Sequence, residues 1–512
     1  MNKNFPCVAV VLDGLGIGKK YEGNAVALAK KPFCDEMKKS FPYCELAAHG
    51  LQVGLEKDKV SGSEVGHINI GYGRIVEQED RKITNEIKNG EFFENKALLE
   101  GMKHVKKNNS NLHLIGLLSK NGSPHSNYKH FRALIKLAKK HGIQKLFVHF
   151  FTDGRDSSPK SARRILEKWS RPFEEFDLGE IATIGGRFYG MDRTKHWNRL
   201  KKAYDAIVNA KGKKANSPCQ AIEKAYKAGL SDEFILPTVI YKNNHPVAKI
   251  KDNDAAIFFH LRSDRARQLT KLFVLDSSDE TELPRPRLKN FLFVTLTGFG
   301  PRIQVKTAYN NTKTDITLVN SLRNFSQLYI SETEKFAHVT YFLNGQYPKA
   351  RFGEERIRIP SPKVQHYDKK PKMSAPVILK TVLDFLKEQR YDFIFINFPN
   401  PDMLGHTGNI KAAIKGIEFL DKCLKKLWKE IDKQNGTLLI FSDHGNAEMM
   451  LNAKTGEPVT SHTRNPVPFS LINKDFKKLK LAQGGRLSNV TPTILDVLDV
   501  EKNPIMDESL IV

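Results

Sequence analysis

Seven residues of this chain have side chains suited to gripping divalent cations or taking up a phosphoryl group, and they lie at its two ends. Asp402 and His406, the adjacent pair Asp443-His444, and His462 fall in the last quarter, while Asp13 and Ser63 lie far upstream. Carboxylates and imidazoles suit borderline ions such as Mn²⁺, Zn²⁺ or Co²⁺. A serine among them is a candidate phosphoryl acceptor, because a nearby metal can activate its hydroxyl.

Each local motif also has a plainer explanation. Val10-Val11-Leu12-Asp13-Gly14 reads as a buried strand ending in an acid and a glycine. Alone, Asp13 is accounted for as a turn cap, and Gly14 only permits close backbone approach. In Ser61-Gly62-Ser63-Glu64-Val65-Gly66-His67, Ser63 is expected to cap the next helix, either as a reactive hydroxyl or as a plain cap. Asp402 and His406, four positions apart on a Pro/Gly-rich loop from Asn400 to Gly408, are hard to explain by packing. Adjacent side chains diverge in a strand, so Asp443 and His444 can face one site only where the chain turns, which Gly445 permits. His462 alone is an ordinary loop histidine. Three such loops together favour a dinuclear site.

The middle of the chain carries arginines. Asp153-Gly154-Arg155-Asp156 ends a strand-like run; Arg155 offers a planar fork for carboxylate or phosphate, and Asp156 could exchange protons with a substrate hydroxyl. The plainer alternative is a surface ion pair. Arg187 and Arg193 follow, and Arg262-Ser263-Asp264-Arg265 could clamp phosphate. Cations at a helix start oppose its dipole, which favours a functional reading. Lys335 could neutralise a transferring phosphoryl group, although a solvated lysine is the simpler expectation.

Apolar runs must position these residues. Strands are expected at Val8 to Leu12, Leu112 to Leu117, Lys145 to Phe151, Ala255 to Phe259, Phe291 to Thr295, Phe393 to Phe398 and Thr437 to Phe441. Between them lie helical patterns, such as Tyr128 to His141 with Phe131, Leu134, Ile135 and Ala138 on one face and Gly142 as a stop. Ile417, Leu420, Leu424, Leu427 and Trp428 repeat the same period. Alternating elements imply an α/β fold with ligands at the carboxyl ends of strands. If the seven residues meet, residues 1–76 and 306–512 form one domain and residues 77–305 an inserted second one. The crossings are expected near Ile75–Glu77 and near Pro301–Tyr309.

Composition bounds the partners. Lysine and arginine total 82 against 57 acids, a formal charge of +25. Pairs such as Lys106-Lys107, Lys139-Lys140 and Lys425-Lys426 flank apolar helix positions, as solvated faces do. No RNA-binding aromatic signature, zinc finger or basic coiled-coil region accompanies the charge, so a specific nucleic-acid partner is not expected. The charge should still assist capture of anionic substrates. The apolar runs are too short to cross a bilayer, and the start Met-Asn-Lys-Asn-Phe-Pro does not read as a secretory leader. Five scattered cysteines without C-x-x-C spacing read as reduced thiols in a cytoplasmic protein.

Taken together, Leu12-Asp13-Gly14, Ser63 to His67, Asp153 to Asp156, Met191-Asp192-Arg193, Asp264 to Arg267, Ile330 to His338, Pro360 to Lys363, Asn400 to Gly408 and Ser442 to Glu448 resemble the cofactor-independent (2,3-bisphosphoglycerate-independent) phosphoglycerate mutases of the alkaline phosphatase superfamily. The resemblance covers nearly the whole chain. It implies an alkaline-phosphatase-like metal-binding domain with an inserted α/β transferase domain that binds substrate. One ion would take Asp402, His406 and His462, and the other Asp13, Ser63, Asp443 and His444. Mn²⁺ is the expected ion, with Zn²⁺ or Co²⁺ as alternatives, and no 2,3-bisphosphoglycerate is required. Ser63, Asp156 and Lys335 would be catalytic, and His125, Arg155, Asp156, Arg187, Arg193, Arg262, Arg265 and Lys335 would bind substrate. The implied activity is glycolytic interconversion of 3- and 2-phosphoglycerate through a phosphoserine, by a monomer whose partners are small phosphoglycerates. The chain departs from the family pattern at Leu15, Gly62, Asn127, His260 and Ser263, which stand where Trp, Asn, His, Asn and Pro are expected. Two competing readings are another metal-dependent phosphatase or phosphomutase of the same superfamily and a basic nucleic-acid binder with an idle enzyme fold.

Overall fold

The computed structural model describes residues 5–120, 122–275, 283, 285, 287–299, 303, 305–310, 313–364 and 366–512. Met1–Asn4, and Pro301, Arg302 and Gln304 of the second expected crossing, lie outside these residues. The chain divides into two units, Met1–Gln78 with Lys313–Val512, and Glu79–Thr312. The second boundary differs from the expected 305/306. Lys306–Tyr309 is a strand that pairs in parallel with Leu292–Thr297, so this stretch belongs to the inserted unit.

In the first unit, eight described strands form one sheet in the spatial order Glu354–Ile359, Gln327–Glu332, Phe393–Phe398, Cys7–Leu12, Thr437–Phe441, Val467–Ile472, Tyr43–Ala47 and Gly485–Arg486. The first five run parallel. Their carboxyl ends therefore share one edge. Both faces of Cys7–Leu12 are buried: Val8, Val10 and Leu12 pack with Ile378, Leu424 and Leu427. Cys7, Ala9 and Val11 pack on the other side with Leu318 and Ile494. That two-sided burial explains why the strand is an unbroken apolar run. The helix Ile410–Asp432 buries Ile417, Leu420, Leu424 and Leu427, as its periodicity requires.

The second unit repeats the logic. Lys306–Tyr309, Leu292–Thr297, Ala255–Phe258, Leu112–Leu118, Leu146–Thr152 and Glu180–Gly186 are successive parallel neighbours, followed by Thr238–Lys242 and Lys213–Ala215, with His245–Pro246 paired to Thr238–Lys242. The helix Tyr128–Lys140 buries Phe131, Leu134, Ile135 and Ala138, and Gly142 adopts φ +70° just beyond its end. The lysines of the three basic pairs are exposed, as solvated helix faces require. Among the described residues, no helix is long and apolar enough to cross a membrane.

Candidate active site

In the first unit, neighbouring parallel strands deliver chemistry to one edge. Asp13 follows Cys7–Leu12, Asp402 lies just past Phe393–Phe398, Asp443-His444 follow Thr437–Phe441, and Lys335 lies just past Gln327–Glu332. Gly14 makes this possible: it has φ +76°, and a Cβ there would come within 2.7 Å of Asp402 Cα. Asp402 and His406 are not on an irregular loop. They bound one turn of the helix Asn400–Gly405, so four-residue spacing puts them on one face.

Two groups of ligand-type atoms result, Asp402 with His406 and His462, and Asp13 with Asp443 and His444. In the first, His406 Nε2 and His462 Nε2 each lie 3.2 Å from Asp402 Oδ1, and 3.1 Å from one another. His406 Nδ1 donates to the Thr460 carbonyl at 2.6 Å and His462 Nδ1 to the Ser61 carbonyl at 2.8 Å. Carbonyls only accept, so in each neutral ring Nδ1 is the donor and Nε2 keeps a lone pair available to a cation beside Asp402 Oδ1. In the second group, His444 Nε2 lies 3.5 Å from Asp13 Oδ1 and 3.6 Å from Asp443 Oδ2. Asp443 Oδ2 is buried without a hydrogen-bond partner. Converging lone pairs and an orphaned carboxylate oxygen fit a pair of divalent cations.

Ser63 sits at this junction. Its Oγ donates to Asp13 Oδ1 at 3.1 Å and lies 3.0 Å from His444 Nε2. Ser63 is the expected helix cap, but the cap is Gly62 and Ser63 is the first residue of the helix Ser63–Tyr72. That placement frees its hydroxyl from capping. A Cβ at Gly66 would stand 2.7 Å from the Asp443 carbonyl, so glycine lets the helix reach the strand end. Lys335 is 5 % exposed and not solvated. Its Nζ donates to Ser63 Oγ, to Asp13 Oδ1 at 2.8 Å and to Asp402 Oδ2 at 2.6 Å.

Electrostatics follow from this packing. Burial disfavours the Lys335 ammonium, but Asp13 and Asp402 more than reverse that and hold it above its ordinary range. Burial likewise opposes the Asp13 and Asp402 charges, and Lys335 overcomes it, keeping both below the usual carboxylate range. Burial would lower His444, yet Asp443 and the bond to Asp13 push it up to about 9. Partial desolvation opposes a charge on His406, whose side chain is itself part-exposed, but pairing with the Asp402 carboxylate raises it. Burial, reinforced by His444, lowers His462.

The second unit gathers a cationic group at its own parallel strand ends. Arg187 Nη1 lies 2.5 Å from Asp153 Oδ1 and 2.7 Å from Asp156 Oδ2, and Nη2 lies 3.1 Å from His125 Nε2. The adjacent Arg155 pairs instead with Glu233, at 3.6 Å. His125 stacks on His260 with ring centroids 5.1 Å apart. Burial, His260 and Arg187 keep His125 uncharged at neutral pH. Burial also drives His260 down to about 3. Arg193 and Arg265 approach Asp264 at 3.2 and 3.7 Å, and Arg262 precedes the helix Ser263–Val274. Burial and the crowding of Arg193 lower Arg265 to about 10, the signature of a cationic cluster short of counter-anions. Sequence reasoning assigned no role to Asp153, which also accepts from Ser119 and Ser157. Nor did it assign one to Asn397, which donates to Asp13 Oδ2 at 2.8 Å, or to Asn446, which donates to Asp402 Oδ1 at 2.8 Å. Asp153 and Asn446 lay within the quoted motifs, and Asn397 was a polar residue near the end of an otherwise apolar strand; those were the available signals.

Comparison with known proteins places these groups in context. The family model of the BPG-independent PGAM N-terminus matches residues 83–301, and that of type I phosphodiesterase / nucleotide pyrophosphatase matches residues 306–482. The chain is 47% identical over 504 residues to a 2,3-bisphosphoglycerate-independent phosphoglycerate mutase of Clostridioides difficile (strain 630), covering 97% of each. It is equally 47% identical over 500 residues, again 97% of each, to the enzyme of the same name from Clostridium perfringens (strain SM101). A crystal structure of Leishmania mexicana phosphoglycerate mutase, at low cobalt concentration, matches with a TM-score of 0.81 and 29% identity over 100% of this chain and 98% of that one.

Proposed function

Because this chain belongs to the 2,3-bisphosphoglycerate-independent phosphoglycerate mutases, we propose that it interconverts 3-phosphoglycerate and 2-phosphoglycerate through a phosphoserine at Ser63, without 2,3-bisphosphoglycerate. The observation that carries this reading is Ser63 Oγ held among Asp13, His444 and Lys335, beside two groups of metal-ligand type.

Asp402, His406 and His462 would hold one divalent ion, and Asp13, Ser63, Asp443 and His444 the other; Mn²⁺ is the proposed ion, with Zn²⁺ and Co²⁺ as alternatives. Bound there, the ions would supply Lewis acidity, easing loss of the serine proton and neutralising phosphate charge.

The chain's own residues account for the rest. Ser63 Oγ, as the alkoxide left once its proton has passed to solvent, attacks phosphorus; the bond from phosphorus to O3 of the glycerate breaks, O3 takes a proton from Asp156, and phosphoserine and glycerate form. The glycerate 2-hydroxyl then attacks the same phosphorus, restoring Ser63 and giving 2-phosphoglycerate. Lys335 keeps its proton throughout and steadies the transferring group, since a charge at ~4 Å is worth about 4 kcal/mol at an effective dielectric of 20. Arg187, Arg193, Arg262, Arg265, Arg155 and His125 would grip the carboxylate and hydroxyls of the glycerate. Asp156, oriented by Arg187 at 2.7 Å, would carry protons to and from O2 and O3. The proposal includes a monomer in the cytoplasm, where the five free thiols stay reduced.

A coupled assay of 3-phosphoglycerate conversion, run without 2,3-bisphosphoglycerate and beside a generic phosphomonoester, tests this. Conversion without release of phosphate supports a mutase. Hydrolysis of both substrates would assign a phosphatase instead.

A further inference from the structure

Glu448 is 1 % exposed and belongs to neither ligand group, yet it touches the loops of Asp13, His444 and His462. Its Oε2 accepts from the Gly16 amide at 3.2 Å and the Asn446 amide at 2.8 Å. Its Oε1 accepts from Asn465 Nδ2 at 3.0 Å and from the Thr463 hydroxyl. Gly16 lies three residues past Asp13, Asn446 two past His444, and Thr463 directly after His462. All four donors are neutral, so the carboxylate is held by geometry and not by an ion pair. Two glycines make room for it: a Cβ at Gly16 would collide with the Glu448 carboxyl, and one at Gly445 with both Glu448 and Thr463. The loops also lock together directly, through Thr463 N to the Gly445 carbonyl at 3.0 Å and Ala447 N to the Gly14 carbonyl at 3.0 Å. Asn446, held by Glu448 through its amide, uses its side chain to fix Asp402 Oδ1 at 2.8 Å. One buried carboxylate thus sets the spacing of ligands that come from opposite ends of the chain.

We propose that Glu448 is a positioning residue for both ligand groups, fixing the loops of Asp13, His444 and His462, and Asp402 through Asn446, without itself holding an ion. This rests on the metal-dependent reading above. Removing an outer partner of metal ligands costs about 10- to 100-fold in metal affinity. In Glu448→Gln, an amide NH₂ replaces one acceptor and faces a donor. Mn²⁺ binding is measured by calorimetry on metal-stripped wild type and variant, with activity followed as Mn²⁺ is raised. The expected result is binding weakened about 10- to 100-fold, with kcat recovering at high Mn²⁺ and KM for 3-phosphoglycerate unchanged once metal saturates. Wild-type affinity in a folded variant overturns the proposal. If wild type itself binds none of Mn²⁺, Zn²⁺ and Co²⁺, the functional reading fails instead. Should Glu448→Gln not fold, Thr463→Val removes one donor without changing shape and tests the same point: weakened Mn²⁺ binding supports the proposal, and unchanged binding refutes it.

Discussion

Ser63 Oγ stands 3.0 Å from His444 Nε2, although 381 residues separate them in the chain. Two placements produce that meeting: His444 follows the central strand Thr437–Phe441, and the helix Ser63–Tyr72 starts against that strand's end, where Gly66 leaves room for the Asp443 carbonyl. Packing in space, not order in sequence, brings a hydroxyl from the start of the chain among ligand-type residues from its end.

Lys335 bridges Ser63, Asp13 and Asp402 from a buried position. Lys335→Met keeps length and packing but removes the charge proposed to steady the phosphoryl group. The expected loss is about 100- to 1000-fold in kcat, with KM little changed, as for removal of one transition-state donor. Steady-state kinetics at saturating metal check this; an unchanged kcat would remove Lys335 from the chemistry.

Arg187 reaches Asp153, Asp156 and His125 with a planar fork that lysine cannot reproduce. Arg187→Lys should lower kcat/KM about 10- to 100-fold, mainly through KM, given the ~1.5–3 kcal/mol worth of a charged hydrogen bond. A fall confined to kcat would contradict its assignment to substrate binding.

Without metal, His444 is pushed up to about 9, so at neutral pH it carries a proton that a cation must displace. Mn²⁺ affinity should therefore climb about tenfold per pH unit between pH 6 and 9 for one proton released, and level off above. Calorimetry in buffers of different ionisation enthalpy measures that proton. Affinity independent of pH would exclude this protonation state.

Glu332 is wholly buried, accepts from the Ser374 amide at 2.7 Å, and leaves Oε2 without a partner. Burial raises it from 4.5 to about 7. The folded state then holds a proton that the unfolded state has lost, so stability is lost as pH rises from 4.5 to 7. The loss is at most about 3 kcal/mol. Glu332→Gln should raise Tm at pH 8 and change it little at pH 5. An equal shift at both pH values would contradict the assignment.

The central strands were legible because they are buried on both faces and must be apolar throughout, as Phe393 to Phe398 shows. Asp13, Asp402, His406, Asp443 and His444 were legible as ligand-type residues because they fall just past such runs, whereas His462 does not and was legible only beside the others. Less legible was the local backbone around them: Asn400–Gly405 reads as a loop from its proline and glycine, but packing against the helix Ile410–Asp432 winds it into a turn of helix. Lys335 illustrates the hardest case. Its burial depends on two carboxylates more than 60 residues away in either direction, which no local pattern encodes. Glu448 was hidden for the same reason, since its donors come from three separate loops.

The central claim is that Ser63 carries the phosphoryl group. Acid quench of enzyme mixed with 3-phosphoglycerate labelled at phosphorus, followed by peptide mapping, reads this directly. The account predicts label on the peptide containing Ser63, and neither label nor turnover in a folded Ser63→Ala variant. Label on another residue, or isomerisation that persists in Ser63→Ala, would contradict it.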